Sequence, residues 1–217
     1  MSERHLPISD ALAGYAVAHS EQPDELQRDL IARTRALPQH GMQIGSDQGA
    51  LLTLLARATG ARTAIEIGTF TGYSSLAIAR GLPADGTLLC CDVSDEWTAI
   101  AREFWKRAGV DHKIELRLGP ALDTLRALPA EPAYDFAFLD ADKPGYPAYY
   151  EELVPRLNPN GLLLVDNTLQ GGRITDPTDQ SPGVAAVRAF NDTAAADPRV
   201  DTVLLAYADG LTLLRKR

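Results

Sequence analysis

From residue 63 to the end of the chain, strand-length apolar segments alternate with helix-length segments, and this rhythm restricts the fold more than any other feature. TAIEI (63–67), TLLCC (87–91), KIELRL (113–118), YDFAFL (134–139) and GLLLV (161–165) read as strands. Helical segments follow them at 73–81, 95–108, 120–128, 146–157 and 183–196, the last after a Gly/Asp/Pro-rich loop at 168–182. Successive parallel strands need crossovers of a dozen or more residues, which helices supply. The pattern therefore predicts an α/β fold with a mostly parallel sheet covered by helices on both faces. VDTVLLAY (200–207) and GLTLLRK (210–216) close the chain, and a tight Asp209-Gly210 turn between them predicts an antiparallel hairpin. That makes seven strands.

Residues 1–60 read as an N-terminal helical extension, with helices over 9–20, 24–37 and 47–59. Leu26, Leu30, Ile31 and Leu37 fall at helical spacing, Pro38 ends the second helix, and Gly60 can terminate the third. No repeat or linker interrupts the chain. Residues 1–217 are expected to form a single domain whose α/β core is 61–217.

Composition removes several function classes. With 45% hydrophobic and 23% charged residues over 217 positions, the chain resembles an ordinary soluble protein. A net charge of -8 argues against nucleic acid and anionic membranes as partners. No run of about 18 apolar residues offers a membrane span. The polar start MSERHLPISD lacks the apolar core of a signal peptide, so the expected location is cytoplasmic. Cys90 and Cys91 are adjacent in an apolar strand and read as core residues rather than a disulfide; His5, His19, His40 and His112 match no zinc spacing.

Ligands of such sheets bind beyond the carboxyl ends of the strands. The residues there are Gly68, Asp92, Asp140 and Asp166, three of them acidic. The first strand runs into EIGTFTGYSS, whose glycines permit a tight turn and close backbone approach to a ligand. Its spacing is G-x-x-x-G, not the dinucleotide G-x-G-x-x-G. A carboxylate at Asp92 can accept hydrogen bonds from both hydroxyls of a ribose. Together the two features point to a nucleoside-like cofactor; the alternative for Asp92 is an N-cap of the following helix.

Asp140 in FLDADK and Asp166-Asn167 in LVDN end neighbouring strands. Three oxygen donors there would suit a hard cation, Mg²⁺ first, with Mn²⁺ and Ca²⁺ open. The alternative is that they cap helices and turns. Lys143, three residues after Asp140, reads either as a solvated surface lysine or as a general base for a hydroxyl.

CDVSDEWTAIAREFWKRAGV, LGPAL, FLDADK, LVDNTL and DGLTLLRK resemble the caffeoyl-CoA O-methyltransferase family, relatives of catechol O-methyltransferase within the class I S-adenosylmethionine-dependent methyltransferases. The resemblance runs from about residue 40 to the end; the first forty residues match only as helices. It implies a Rossmann-like sheet and metal-dependent methyl transfer from S-adenosylmethionine to a hydroxyl of a small aromatic, catechol-like acceptor. It further implies cofactor contacts by Met42 and Ile44 (methionine moiety), by Glu66, Gly68, Thr69 and Ser74 (its carboxylate and amino group), by Asp92 (ribose) and by Ala121 (adenine). Asp140, Asp142 and Tyr149 match positions near the ligands. Asp140, Asp166 and Asn167 match the divalent-metal positions, and a homodimer is expected. For Met42 and Ile44 plain core packing is the alternative. Trp97 and Trp105 read as packing or dimer-surface residues.

The chain departs from that family at Gln170, often aromatic there, and at Ala206-Tyr207, where Pro and an aliphatic residue are usual. Both positions resemble ones bordering the acceptor pocket, so the acceptor is expected to be bulkier or less flat than a typical phenylpropanoid. No basic N-terminal cluster supports a CoA thioester. Two competing readings are a nicotinamide-dependent oxidoreductase, which predicts the missing G-x-G-x-x-G, and a catalytically silent binding protein on the same fold.

Overall fold

The computed structural model describes residues 8–217; most of the polar opening stretch, 1–7, lies outside the described residues. The elements are α1 (Asp10–Ala18), α2 (Glu25–Arg35), α3 (Ser46–Ala58), β1 (Thr63–Ile67), α4 (Tyr73–Gly81), β2 (Thr87–Asp92), α5 (Asp95–Arg107), β3 (Ile114–Leu118), α6 (Ala121–Ala127), β4 (Tyr134–Leu139), α7 (Tyr146–Arg156), β5 (Leu157–Asp166), α8 (Pro182–Ala196), β6 (Val200–Leu205) and β7 (Leu211–Lys216). Local chemistry sets several boundaries. A capping box of Asp24 and Gln27 opens α2, and the Ser94 side chain accepts from Trp97 N to open α5.

The seven strands form one Rossmann-like sheet in the order β3-β2-β1-β4-β5-β7-β6. β1 to β5 pair in parallel, and β7 runs antiparallel to both β5 and β6. The pleat sends alternate side chains into two separate apolar layers. Ala64, Cys90, Phe136, Phe138 and Leu164 face α2, α3, α4 and α5. Ile65, Ile67, Cys91, Ala137, Leu139 and Val165 face α6, α7 and α8. Both cysteines are free and buried, as their place in a strand implies. Among the described residues no helix is long and apolar enough to cross a membrane.

Strand order reverses between β1 and β4, and there the two backbones meet. Gly68 has φ +90, and a Cβ on it would lie 2.0 Å from the carbonyl oxygen of Asp140. Only glycine tolerates both the left-handed backbone and that approach. Asp140 N in turn donates to Ile67 O at 2.9 Å.

Two segments differ from the sequence expectation. β5 begins at Leu157, which pairs with Tyr134 before the register shifts. The intervening Asn158-Pro159-Asn160-Gly161 has turn composition and hides that pairing. The hairpin between β6 and β7 is a five-residue connection, 206–210, not a two-residue turn. Its backbone is drawn off by another partner: Asp209 O and Gly210 O accept from Leu169 N and Thr168 N. A Cβ on Gly210 would sit 2.6 Å from Leu169 N. The connection thus clamps the loop that follows β5.

Candidate active site

A cavity of about 890 Å³ opens at the carboxyl ends of β1, β2, β4 and β5. Met42, Ile44, Gly68, Thr69, Ser74, Asp92, Ala121, Asp140, Asp142, Lys143, Tyr149, Asp166 and Asn167 all line it. Of the candidate ligand-contacting residues, Glu66 alone lies outside the lining, fully buried in the sheet behind it. Of the positions expected to border the acceptor pocket Gln170 lines the cavity, whereas Ala206 and Tyr207 do not, and Ala208 and Asp209 stand there instead. Met42 is half-exposed in a 3₁₀ turn at the rim, so core packing does not describe it; Ile44 is buried.

At one end stands the glycine turn. Asp92 Oδ2 accepts from Thr69 N (2.9 Å) and Phe70 N (2.8 Å), and Oδ1 accepts from Ser94 N (2.8 Å). The helix N-cap is therefore Ser94, while Asp92 holds the turn in shape. Three of roughly four carboxylate lone-pair sites are used, which leaves about one for a ligand hydroxyl. Gly119, Pro120 and Ala121, at the start of α6, form the neighbouring wall.

Glu66 sits on β1 opposite Cys90 in the register. Cys90 Sγ donates to Oε2 at 3.5 Å, while Oε1 is buried without a partner. Burial pushes this carboxyl up to about 8, against the pull of the Ser74, Cys90 and Thr69 side chains beside it. A buried acceptor lacking a donor is costly, and it marks the place where a ligand N–H would be satisfied. The folded-state value lies above the ordinary 4.5, so the native chain holds this proton more tightly than the unfolded chain does. Ligand-free stability contributed by Glu66 is intact below about pH 4.5 and is lost as pH rises to about 8. Glu66→Gln should abolish that loss: thermal midpoints of wild type and variant should diverge between pH 5 and 8 in favour of the variant. Parallel curves would refute the assignment.

At the other end Asp140 and Asp166 converge. Asp166 is 2% exposed, and its carboxyl is pushed up to about 6 by burial and then by the charge of Asp140. Its Oδ1 accepts from Asn167 N at 2.7 Å, and Asn167 has φ +56, a left-handed backbone that Asn accepts better than most residues. Among the described residues no three His, Cys, Asp or Glu side chains form a metal cluster. The candidate donors are two carboxylates and one amide oxygen. A buried and a half-buried carboxylate repelling one another, with an amide oxygen as the third candidate donor, fit a hard divalent cation.

Lys143 is not a solvated lysine. Its Nζ donates to Asp140 Oδ1 (2.8 Å) and to Tyr146 Oη (2.7 Å). Tyr146 Oη donates to the Asp166 carbonyl at 2.9 Å and so ties α7 to the end of β5. The Tyr146 ring is fully buried and meets Phe190 edge-on, with centroids 6.1 Å apart. Its phenol is raised well above the usual range, first by burial and then by Asp140, Asp166, Asp142 and Asp209. Asp142 caps the Lys143–Gly145 turn and accepts from Tyr149 Oη at 2.7 Å.

The sequence reading missed Tyr146, Phe70, Gln48 and the role of one tryptophan. Trp97 lines the cavity and packs edge-on against Phe70 at 5.1 Å. Its place in the first turn after Asp92 was the available signal. Trp105 is 2% exposed with Nε1 donating to Ser75 Oγ at 3.1 Å, so it is a core residue and not a surface one. Gln48, in the first turn of α3, also lines the cavity and is buried.

Similarity to known proteins agrees with this geometry. The O-methyltransferase family model matches residues 17–217. A Dictyostelium discoideum protein named "Probable caffeoyl-CoA O-methyltransferase 2" is 42% identical over 219 residues, covering 99% of this chain and 95% of its own. The O-methyltransferase from Bacillus cereus, solved with SAH, superposes with a TM-score of 0.87 at 32% identity, covering 95% of this chain and 97% of its own. TomG from Streptomyces achromogenes, involved in tomaymycin synthesis and solved with SAM, gives 0.86 at 33% identity, with 95% and 96% covered. A seven-stranded sheet with a reversed last pair, a glycine turn over an acidic strand end and a family match over nearly the whole length lead to one conclusion: this chain belongs to the O-methyltransferase family.

Proposed function

We propose that the protein moves the methyl group of S-adenosylmethionine to one hydroxyl of a small catechol-like acceptor, with a divalent cation held by Asp140, Asp166 and Asn167. The observation that carries this reading is the single cavity itself. It joins a turn built for a nucleoside-like cofactor to a carboxylate pair with a lysine bonded to it. The relatives solved with SAH and SAM support the choice of methyl donor.

Each end has a distinct task. Thr69, Ser74 and the orphaned Glu66 Oε1 would bind the polar end of the methionine moiety, with Met42 and Ile44 along its chain. Asp92 would take a ribose hydroxyl, and Ala121 would lie by the adenine. At the other end the cation, when bound, supplies a Lewis acid that stabilises a deprotonated hydroxyl near neutral pH. Lys143, as the free amine once the cation occupies Asp140, would receive the hydroxyl proton at Nζ, and Tyr146 fixes Nζ in position. Asp142, held by Tyr149, closes the wall between the two ends. The acceptor oxygen then attacks the methyl carbon as the carbon–sulfur bond breaks, leaving S-adenosylhomocysteine. Opposite charges are neutralised in that step, so orientation and exclusion of water contribute much of the acceleration.

Calorimetric titration with S-adenosylhomocysteine and with NAD tests the cofactor half. Binding of the first alone is expected; binding of NAD alone would favour the oxidoreductase. Asp92→Ala should weaken S-adenosylhomocysteine by about tenfold or more, the worth of one charge-assisted hydrogen bond. It should also lower the thermal midpoint, because three turn N–H groups lose their acceptor. Unchanged affinity would reduce Asp92 to a purely structural residue. Methylation of 4-methylcatechol in the presence of Mg²⁺ tests the acceptor half.

A further inference from the structure

Among the described residues five aspartates line the cavity, Asp92, Asp140, Asp142, Asp166 and Asp209, against Lys143 as the one basic residue. Four of the five have work within the reading above. Asp92 holds the turn, Asp142 is engaged by Tyr149 and Gly145, and Asp140 and Asp166 form the proposed cation site. Lys143 is already bonded to Asp140. Asp209 is left over. It stands on the connection between β6 and β7, in the wall that also carries Ala208. Gly171 N donates to its Oδ1, and its backbone carbonyl accepts from Leu169 N. These bonds fix the carboxylate beside the loop that bears Asn167 and Gln170. No lysine or arginine among the described residues pairs with it.

The facing wall is α3. Gln48 there is 2% exposed, lines the cavity, and its side chain lies beside the Asp166 carboxylate. Tyr207 Oη donates to Asp47 Oδ2, which ties the Asp209 wall to the first turn of α3. The acceptor end is thus a braced space between two walls, with amide groups and one carboxylate outside the proposed cation site, and among the described residues its lining holds no lysine or arginine other than Lys143.

We infer that the acceptor is a compact catechol whose side chain is neutral or bears an ammonium group, and that Asp209 selects it against anionic acceptors. This rests on the catechol reading and narrows it. A carboxylate near the reacting centre attracts an ammonium and repels a carboxylate or phosphate, and it does so most strongly where solvent is partly excluded. Among the described lining residues a CoA thioester would find for its phosphates only Lys143, which Asp140 already engages. The acceptor would then differ from the one in the name of the Dictyostelium relative.

The test is kcat/KM at saturating S-adenosylmethionine and Mg²⁺ for dopamine, 4-methylcatechol, 3,4-dihydroxyphenylacetate and caffeoyl-CoA. Dopamine and 4-methylcatechol should exceed both anionic acceptors by about tenfold or more. Asp209→Asn keeps an oxygen for Gly171 N while removing the charge. In that variant the ratio of dopamine to 3,4-dihydroxyphenylacetate should fall by about tenfold. Should the variant not fold, the same ratio in the wild-type enzyme should shrink severalfold as ionic strength rises from about 0.01 M to about 0.3 M, where screening shortens to within the cavity's own dimensions. Caffeoyl-CoA used as well as 4-methylcatechol, or a ratio indifferent to both the substitution and salt, would overturn the inference and leave the catechol reading standing. Failure to methylate any of the four would overturn the catechol reading itself.

Discussion

Asp166→Ala is expected to lower kcat/KM by about 10³-fold or more and to abolish stimulation by Mg²⁺. Lewis-acid stabilisation of a developing oxyanion is worth several kcal/mol, and about 4 kcal/mol corresponds to that factor. The substitution removes one carboxylate of a pair in which burial, and then the charge of Asp140, already raises Asp166. Without a cation the pair is a liability, so the variant should unfold at a temperature no lower than that of the metal-free wild type. Stability retained and activity lost is the pattern that separates a ligand from a structural residue. Metal affinity by calorimetry, activity in excess EDTA and thermal midpoints without metal form the decisive set. A purified, metal-free wild-type enzyme that works at full rate in EDTA would end the metal hypothesis.

Lys143→Ala should lower kcat by about 10² to 10⁴-fold, the usual contribution of general-base catalysis. All three candidate ligands stay in place, and Asp140 Oδ1 is relieved of its bond to Nζ. Cation affinity should therefore not fall, in contrast to Asp140→Ala. Part of the lost rate should return as pH rises, since hydroxide can replace the missing base. Tyr146→Phe provides a graded control. It removes one of the two acceptors that fix Nζ and the bond to the Asp166 carbonyl. Its loss in kcat should be smaller and should persist across pH. Coincident kcat profiles for wild type and Lys143→Ala would show that the lysine takes no proton.

The residues that carry these effects differ in how visible they are in the sequence. Asp92, Asp140 and Asp166 can be found because each follows an apolar strand of recognisable length, and strand ends of a parallel sheet share one edge. Gly68 is visible as a glycine at such an end, but its contact with Asp140 O spans 72 positions and follows only from strand order. Tyr146 reads as one of several aromatics in YPAYYEEL. Only the packing of α7 against Phe190 turns its hydroxyl toward Lys143. Trp97 was obscured by periodicity, because a tryptophan eight positions before another on an amphipathic helix suggests a shared face. In the structure one lines the cavity and the other is sealed in the core. The connection at 206–210 looked like a two-residue turn because Asp-Gly is its usual signal. Competition from Leu169 N and Thr168 N, more than 35 positions away, decided otherwise. What stayed hidden was tertiary hydrogen bonding, which no local pattern encodes.

The contact of Gly68 with the Asp140 carbonyl has a consequence for how such an enzyme can diversify. Donor and cation ends are spaced by main chain meeting main chain, so no side-chain exchange elsewhere can lengthen that span. The segments at 168–175 and 206–210 hang beyond it, joined to one another and braced by α8 and α3. Sequence change in those two segments can reshape the space for the acceptor while the gap between methyl and oxygen stays set by the sheet. Libraries aimed at new acceptors should therefore vary Gln170, Tyr207, Ala208 and Asp209 together and leave residues 68 and 140 untouched.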